Sequence, residues 1–458
     1  MLRFYNSFSR KKEDFIPLEK GKVKLYTCGP TVYDTAHIGN FRTFLFEDFL
    51  KRVLVARGFD VFHVMNITDV DDKTIKKSMD EGKPLSEITS HYTELFYRDL
   101  KSLKIIPADV YPAATEHVDG MIKMIKSLID KGNAYKTDDG SVFFSIESFK
   151  DYGNLTNINM AGMRQSERGG SDEYGLDNPQ DFSLWKAYKN EDGDVAWDSP
   201  WGKGRPGWHI ECSAMSMEYL GQHFDIHCGG VDNKFPHHEN EIAQSVCAAD
   251  TPFVNFWLHS EFLMVDGGKM SKSIENFYCI PDLLEKGFTA EEIRYIMLSA
   301  HYRTKVNFTL DKQHEAKMAI QRIHELRIRL TDIDRKSTSD FPDAVNPFNI
   351  ALEDDLDAPK ALAVFFDWIR VTNSTLDKNS LSEDEASQGI NFIAYFDSVF
   401  GVLPKDESIP QEIIELVSER EEVRQHKDWA KSDELRDLIA SKGWIVKDTP
   451  DGTKLSPK

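Results

Sequence analysis

The stretch VKLYTCGPTVYDTAHIGN, residues 23–40, decides the fold of this chain. Its first part, VKLYTC, is a short apolar run that ends at a Gly-Pro pair, which predicts a buried β-strand. The closing HIGN segment, residues 37–40, leads into an amphipathic pattern over 43–57, which predicts a helix that ends at a glycine. A second apolar strand is expected over 60–66, and this strand–helix–strand order is typical of a right-handed parallel unit.

The alternation of strands and helices resumes after residue 222. Residues 223–227 and 253–265 have strand patterns, and residues 236–249 between them have a helical pattern. The stretch that precedes them has little periodicity over its later part, where it is rich in Gly, Asp, Pro and Trp. We therefore interpret residues 116–205 as an insertion between two halves of one α/β domain with a parallel sheet.

Composition and charge limit the class of protein. The chain has 458 residues, 40% hydrophobic and 29% charged, which is typical of a globular protein. No apolar run approaches the roughly 20 residues that cross a bilayer, and the N-terminus lacks a signal pattern, so we expect a cytoplasmic protein with no membrane partner. The net charge of −20 argues against unspecific electrostatic binding to RNA. The five cysteines are too sparse for a disulfide framework, so some are candidate metal ligands.

Two short segments carry residue types that bind phosphate. His37, Gly39 and Asn40 stand before a predicted helix, where N–H groups attract anions and a glycine permits close approach of the backbone. The second segment is the glycine-led loop GGKMSKS, whose Lys269 and Lys272 suit a triphosphate. Each segment alone is compatible with an ordinary turn or a solvated loop. The pair, in this order and separated by an insertion, is much more specific.

Thiol, imidazole and carboxylate groups near these segments form a candidate metal site. Cys28 ends the first predicted strand, and Cys212 precedes the second alternation. His237 and Glu241 are four residues apart on a predicted helix and share a face, but His238 is also at a viable spacing from Glu241. Zinc accepts this donor set. The alternative is a purely structural zinc. The closeness of Cys28 to the first phosphate segment argues against that alternative.

The two phosphate segments together resemble the HIGH and KMSKS signatures of class I aminoacyl-tRNA synthetases. KMSKS matches in full. Asn40 replaces the last histidine of the first signature; it can still donate a hydrogen bond but cannot become cationic. Further stretches, spread over nearly the whole chain, resemble the cysteinyl-tRNA synthetase family. They are CGPTVYDTAHIGN (28–40), MNITDVDDK (65–73), GWHIECSAM (207–215), FDIHCGGVDNKFPHHENEIAQS (224–245) and ALEDDLDAPKALAV (351–364).

The resemblance implies an activity and a role for each candidate residue. The activity is ATP-dependent formation of cysteinyl-adenylate, followed by transfer of cysteine to the 3′ end of tRNA(Cys), by a monomer. One zinc ion per chain would select the thiol of L-cysteine, and Mg²⁺ would accompany ATP. The implied zinc ligands are Cys28, Cys212, His237 and Glu241. The implied amino-acid pocket is Thr68, Trp208, His227 and Asp232. The implied ATP-contacting and catalytic residues are His37, Gly39, Asn40, Lys269 and Lys272.

The resemblance also implies a Rossmann-like catalytic domain, a helical bundle and a small mixed C-terminal module. The expected bounds are 1–115 and 206–275 for the two catalytic halves, 116–205 for the connective insertion, 276–315 for a stem-contact region, 316–403 for the bundle on the anticodon side, and 406–458 for the anticodon-binding module. Basic and aromatic residues mixed in that module, Arg424 and Trp429 among them, suit single-stranded bases. Leu455 stands where the family places an aromatic residue.

Two other functions compete with this one. A ligase that joins activated cysteine to an amino sugar would share both signatures and the zinc ligands, but it would lack the C-terminal module. A zinc-containing RNA-binding protein without catalysis would be expected to have degraded phosphate segments, whereas KMSKS is intact here.

Overall fold

The computed structural model describes residues 1–157, 181–268, 270, 276–334, 338–404, 410–449 and 452–457. The chain divides into two compact units, Met1–Val402 and Leu403–Lys458. No helix within the described residues is long and apolar enough to cross a membrane. The predicted α/β class with a parallel sheet is confirmed, and a helical region follows that sheet.

The predicted strand–helix–strand unit is present near the N-terminus. The elements of this part are β1 (Arg3–Asn6), β2 (Lys11–Asp14), β3 (Lys22–Thr27), α1 (Ile38–Ala56), β4 (Asp60–Met65), α2 (Asp72–Glu81) and α3 (Leu85–Ser102). β3 pairs with β4 in parallel. α1 begins at Ile38, earlier than the apolar pattern predicts, because the His37 side chain caps its first turn. Most of α1 is buried rather than amphipathic.

The inserted segment has its own antiparallel sheet. Its elements are α4 (Val118–Asp130), β5 (Ala134–Lys136), β6 (Val142–Phe144), β7 (Phe182–Ala187) and β8 (Gly204–Pro206). The four strands pair in the order β5-β6-β7-β8, and every pairing is antiparallel. Among the described residues no strand of this sheet pairs with the parallel sheet, so it is a separate sheet within the first unit.

The second alternation completes the parallel sheet. It consists of α5 (Trp208–Leu220), β9 (Phe224–Gly230), α6 (His237–Ala249) and β10 (Val254–Ser260). The sheet order is β10-β9-β3-β4, with all three pairings parallel. The strand order reverses between β3 and β9, and ligands bind at the carboxyl ends of strands beside such a switch point.

A short parallel pair and a helical bundle follow the sheet. Their elements are β11 (Leu263–Val265), α7 (Ile280–Glu285), α8 (Ala290–Leu298), β12 (Val306–Phe308), α9 (Lys312–Thr331), α10 (Val345–Glu353), α11 (Ala358–Asp377) and α12 (Glu383–Phe400). Phenylalanines fill the bundle core, where the rings of Phe365 and Phe396 stack with centroids 3.8 Å apart. Asp355, between α10 and α11, has a positive φ of 64° and accepts hydrogen bonds from Tyr302 and Arg303.

The sequence from about Pro410 predicts two helices and then a hairpin with Pro450-Asp451-Gly452 at its turn, and the second unit has this order of elements. Its elements are α13 (Gln411–Gln425), α14 (Trp429–Ser441), β13 (Trp444–Thr449) and β14 (Gly452–Pro457). The predicted turn residues Pro450 and Asp451 lie outside the described residues. Leu455 packs against a small core that includes Trp444, so it has a packing role in this unit. Arg420 and Arg424 both contact the Asp448 carboxylate.

Candidate metal and nucleotide site

Four predicted metal ligands converge at the carboxyl end of β3. Cys28 follows that strand directly, Cys212 lies in α5, and His237 and Glu241 lie one turn apart in α6. One donor atom from each residue lies within 4.8 Å of the donor atoms of the other three. Cys28 is half-buried and the other three side chains are buried. The sheet and two helices that flank it therefore bring together residues that are far apart in the sequence.

The donor atoms have the properties of a metal site. Glu241 Oε1 is buried and accepts no hydrogen bond from a described residue, although His237 Nε2 lies 3.1 Å away. A hydrogen bond from Cys28 lowers the pKa of Cys212 to about 6, while burial raises the pKa of Cys28 well above its usual value. Two thiols close together and a buried carboxylate oxygen without a hydrogen bond from a described residue fit a zinc ion, which takes thiolate, imidazole and carboxylate donors.

Both histidines that the sequence left open lie beside this cluster. His238 belongs to an overlapping set with Cys28, His227 and Glu241. Its Nε2 is 3.2 Å from Cys28 Sγ but 3.9 Å from Glu241 Oε1, and its Nδ1 is bonded to His259 at 2.8 Å. The set that contains His237 is the one with two thiols, and thiolate-rich sets favour zinc. The donor chemistry therefore favours His237.

Neighbouring side chains fix the orientation of His237. His209 Nδ1 lies 2.9 Å from His237 Nδ1, which directs the Nε2 atom towards Glu241. Trp208 stacks on the His237 ring with centroids 4.2 Å apart. Burial opposes charge on His237, but the Glu241 carboxylate and the Cys212 sulfur outweigh it and raise the pKa of His237. Contacts of this kind hold metal-binding imidazoles in place.

The four residues expected to line an amino-acid pocket differ in their surroundings. Trp208 is 38% exposed, beside the metal cluster. Thr68 is buried, and its hydroxyl bonds to Glu211 at 3.1 Å. His227 is buried in β9 with its Nε2 3.0 Å from Glu241 Oε2, so it supports a predicted metal ligand directly. Asp232 lies in a short turn after β9.

A small cavity of about 40 Å³ lies beside Trp208 and Glu211. Burial raises the pKa of Glu211 well above its usual value. On the opposite wall Asp72 pairs with Lys186 and Arg205. The Asp-rich segment that contributes this wall does not form a metal cluster within the described residues; its carboxylates cap α2 and bond to loop atoms instead.

The first phosphate segment forms a capped helix start. His37 Nδ1 accepts hydrogen bonds from the N–H groups of Gly39 and Asn40, and Asn40 Oδ1 accepts one from the His37 N–H. Two N–H groups that the sequence argument assigned to phosphate are therefore already bonded to His37. The start of α1 remains the positive end of the dipole of a largely buried helix.

The two phosphate segments lie in contact. A Cβ added to Gly39 would be 2.5 Å from Met270 Cε, so the methionine of KMSKS lies directly against Gly39. The Ile38 N–H donates to the Tyr278 carbonyl at 2.9 Å, and the Phe277 ring packs edge-on against His37. Lys269 and Lys272 lie outside the described residues. Met270 within KMSKS and two residues that follow the motif thus adjoin the first segment.

Sequence reasoning missed several buried polar residues around this site. They include His209, His259, Asn66 and Glu211. A histidine or asparagine at a strand end has the same sequence pattern whether its side chain meets solvent or a metal ligand. The sequence signals for this region were the paired histidines of PHHEN and the stretch WHIEC. They identified the candidate metal ligands but not the side chains that contact those ligands.

Comparison with known proteins places these features in a family. A family model described as the catalytic domain of class I (C) tRNA synthetases matches residues 14–318, and a DALR domain model matches residues 347–404. A protein of Protochlamydia amoebophila named cysteine–tRNA ligase is 47% identical, with 99% of this chain and 97% of that protein covered. A Chlamydia muridarum protein of the same name is 48% identical, with 99% of each chain covered. The Mycobacterium tuberculosis methionyl-tRNA synthetase bound by methionyl-adenylate has a TM-score of 0.59 at 12% identity, covering 83% of this chain and 92% of that one, which shows the fold alone.

Proposed function

The chain belongs to the cysteine–tRNA ligase family, and from this premise we propose how its residues divide the reaction. The enzyme is an ATP-dependent ligase that joins cysteine to tRNA. In the first step a cysteine carboxylate oxygen bonds to the α-phosphorus of ATP, and pyrophosphate leaves. In the second step a hydroxyl of the terminal ribose bonds to the cysteinyl carbonyl carbon, loses its proton, and AMP leaves.

The metal centre selects the amino acid. Cys28, Cys212, His237 and Glu241 would hold one zinc ion, which supplies binding for the substrate sulfur as a thiolate. Serine differs from cysteine by one atom, and a pocket based on shape alone discriminates poorly between such substrates. A difference of about 5–6 kcal/mol in binding would reject serine by roughly 10⁴-fold. The convergence of these four donors beside the first phosphate segment is the observation that carries the proposal.

Residues around the metal hold the rest of the amino acid. Trp208 is 38% exposed and offers an apolar wall beside the metal. Thr68 offers a hydroxyl oxygen. Asp232 offers a carboxylate, and His227 acts through Glu241. These roles place the cysteine carboxylate on the side of the helix start at His37.

The nucleotide lies between the two signatures. His37 and Asn40 contact phosphate oxygens at the start of α1, and Gly39 allows the chain to approach them closely. Lys269 and Lys272 stabilise the charge of the leaving pyrophosphate, together with Mg²⁺ bound to ATP. The step needs positioning and charge neutralisation rather than a protein base. The contact of Met270 with Gly39 supports this shared role.

The helical parts serve tRNA. The DALR match covers α10, α11 and α12. In the second unit Trp429 is exposed, and the Arg424 guanidinium lies 5.8 Å from its ring centre. An exposed aromatic ring with a neighbouring cation suits an unstacked base. We place anticodon contacts there, and we expect the enzyme to work as a monomer in the cytoplasm, where tRNA is charged.

Pyrophosphate exchange tests the first step. We expect exchange of label between pyrophosphate and ATP that depends on cysteine and is nearly absent with serine; equal exchange with serine would remove the argument from zinc. Lys272→Ala should slow exchange and keep zinc, whereas Lys317→Ala, at an exposed lysine on α9, should change neither the exchange rate nor the zinc content.

Metal analysis tests the ligand set. Glu241→Gln should lower the zinc content of the purified protein. Glu239→Gln is the matched control, because Glu239 is buried on the same helix and bonds to Gly153 and Thr156 instead. Full zinc in both variants would contradict the set. Transfer of cysteine to tRNA and to an amino sugar should be compared in the same assay. Transfer to tRNA alone separates this enzyme from the related ligase.

A further inference from the structure

A chain of hydrogen bonds joins the neighbours of the two cysteine ligands. The Gly29 N–H donates to Asn66 Oδ1 at 2.9 Å, and Asn66 Nδ2 donates to Thr68 Oγ1 at 3.1 Å. The Thr68 hydroxyl donates in turn to Glu211 Oε2 at 3.1 Å. Gly29 directly follows Cys28, and Glu211 directly precedes Cys212. The three bonds therefore span from one thiol ligand to the other.

The direction of each bond is fixed by its first donor. A backbone N–H can only donate, so the Asn66 oxygen faces Gly29 and its NH₂ group must face Thr68. Thr68 Oγ1 accepts that hydrogen and is left to donate its own to Glu211. Every side chain in the chain of bonds thus has one orientation that satisfies its neighbours.

The residues of this chain of bonds are buried and closely packed. The side chains of Asn66, Thr68 and Glu211 are 1%, 2% and 0% exposed. A Cβ on Gly29 would lie 1.7 Å from the Asn66 carbonyl oxygen, so the two backbones touch. The Thr68 N–H donates to the Pro30 carbonyl at 3.1 Å, which ties the same two loops together a second time.

The bond from Thr68 to Glu211 holds the α5 end of this chain of hydrogen bonds. Gly207, the N-cap of α5, has no side chain to bind the first turn, so that turn receives no side-chain cap. Glu211 reaches from α5 to Thr68, and this bond connects the helix that carries Cys212 to the loop beside Cys28. It acts together with the contact of His209 with His237 and with the bond from Lys24 Nζ to the Leu220 carbonyl at 2.7 Å, which also hold α5 in place.

We propose that Asn66 and Glu211 are positioning residues which, through the Thr68 hydroxyl, set the separation of the Cys28 and Cys212 sulfurs and so the affinity for the metal. This inference rests on the ligand set of the proposed function. Outer partners of metal ligands typically contribute 10- to 100-fold in metal affinity. Asn66→Ala should therefore raise the zinc dissociation constant by roughly 10- to 100-fold.

The full-length protein is tested with zinc and with cobalt. Competition with a chelator gives the zinc dissociation constant, and the sulfur-to-cobalt charge-transfer absorbance per bound cobalt reports how many thiolates coordinate. Asn66→Ala should weaken zinc binding and reduce that absorbance. Glu211→Gln retains an acceptor oxygen and should stay near the parent protein, whereas Glu211→Met should behave like Asn66→Ala.

A pair of variants at one position covers the case in which Asn66→Ala does not fold. Thr68→Val removes the hydroxyl at nearly constant shape, and Thr68→Ser keeps it. The proposal requires weaker zinc binding in the first and not in the second; equal affinity in the two would overturn it. Asn391→Ala is the control, because Asn391 also makes two side-chain bonds, to the Thr338 and Asp340 carbonyls in the bundle.

The outcomes separate the two proposals. A parent protein that binds no zinc would refute the ligand set itself. A parent protein that binds zinc, with Asn66→Ala and Thr68→Val unchanged in affinity and in cobalt spectrum, would overturn only the positioning role. An equal loss in Asn391→Ala would also overturn it, because general destabilisation would then explain the effect.

Discussion

His63 makes the stability of the first unit sensitive to mild acid. Its ring is buried in β4, its Nε2 lies 2.9 Å from Thr27 Oγ1, and its Nδ1 has no hydrogen-bond partner among the described residues. Burial, with a smaller effect of the Lys51 ammonium, lowers the pKa of His63 to about 3. The ring is therefore neutral in the folded protein at pH 7 and at pH 5.

The magnitude follows from the two pKa values of this group. An unfolded histidine has a pKa of about 6.5, so the folded value is the lower one. The stabilisation is then complete above about pH 6.5 and is lost as the pH falls towards about 3. With about 3 as the folded value, the loss by pH 5 is about 2 kcal/mol, and the full loss approaches about 5 kcal/mol.

Urea unfolding at pH 7 and pH 5 measures this loss. His63→Gln keeps a donor for Thr27 and does not titrate, so it should be less stable than the parent protein at pH 7 and recover about 2 kcal/mol relative to it at pH 5. When the free energies of unfolding of the variant and the parent protein are subtracted at each pH, the contributions of the other titratable groups cancel. His91→Gln, at an exposed position of α3, is the control. Its free energy of unfolding should differ from that of the parent protein by the same amount at pH 7 and pH 5. A gap for His63→Gln that does not change with pH would refute the reasoning.

Three further substitutions test other parts of the structure. Asp355 has a φ of 64°, which alanine adopts at a cost of about 1–2 kcal/mol relative to asparagine, and asparagine also keeps an acceptor for Tyr302, so Asp355→Ala should unfold more easily than Asp355→Asn by at least about 1–2 kcal/mol in thermal denaturation. In Gly207→Ala the new Cβ would lie 2.1 Å from the Ser183 carbonyl oxygen, so a clear fall in the melting temperature is expected, and an unchanged one would contradict the packing. A hydrogen bond from Arg420 holds the pKa of Asp448 at about 2, so the stabilisation from this contact is present above about pH 4 and lost towards pH 2. Arg420→Met should raise that pKa towards its ordinary value in a carboxyl NMR titration; no change would mean that the contact is absent in solution.

The sequence predicted the parts of the fold that depend on local patterns. β3, β4 and the order of the tail elements follow from apolar runs and turn residues, and they are present as expected. The start of α1 was wrong by several residues, because the His37 side chain provides a cap that the apolar pattern does not reveal. Periodicity reports which side of a helix is apolar; it does not report side-chain hydrogen bonds.

The candidate site could be predicted in part. The metal ligands were named because their residue types are rare and their spacing matched a known family, and the structure brings all four together. The choice between His237 and His238 depended on contacts with other elements, such as the bond from His238 to His259. Asn66 has no unusual sequence context, and only its position between two loops gives it a role.

The split of the parallel sheet by an insertion has a consequence for synthesis of the protein. Cys28 and Cys212 are 184 residues apart, so at about 5–20 residues per second a ribosome adds the second thiol roughly 10 to 40 s after the first. During that interval the nascent polypeptide cannot close the loop that brings the two sulfurs together. With the proposed ligand set, capture of the ion would therefore come late in biogenesis, once the residues on both sides of the inserted sheet have been synthesised.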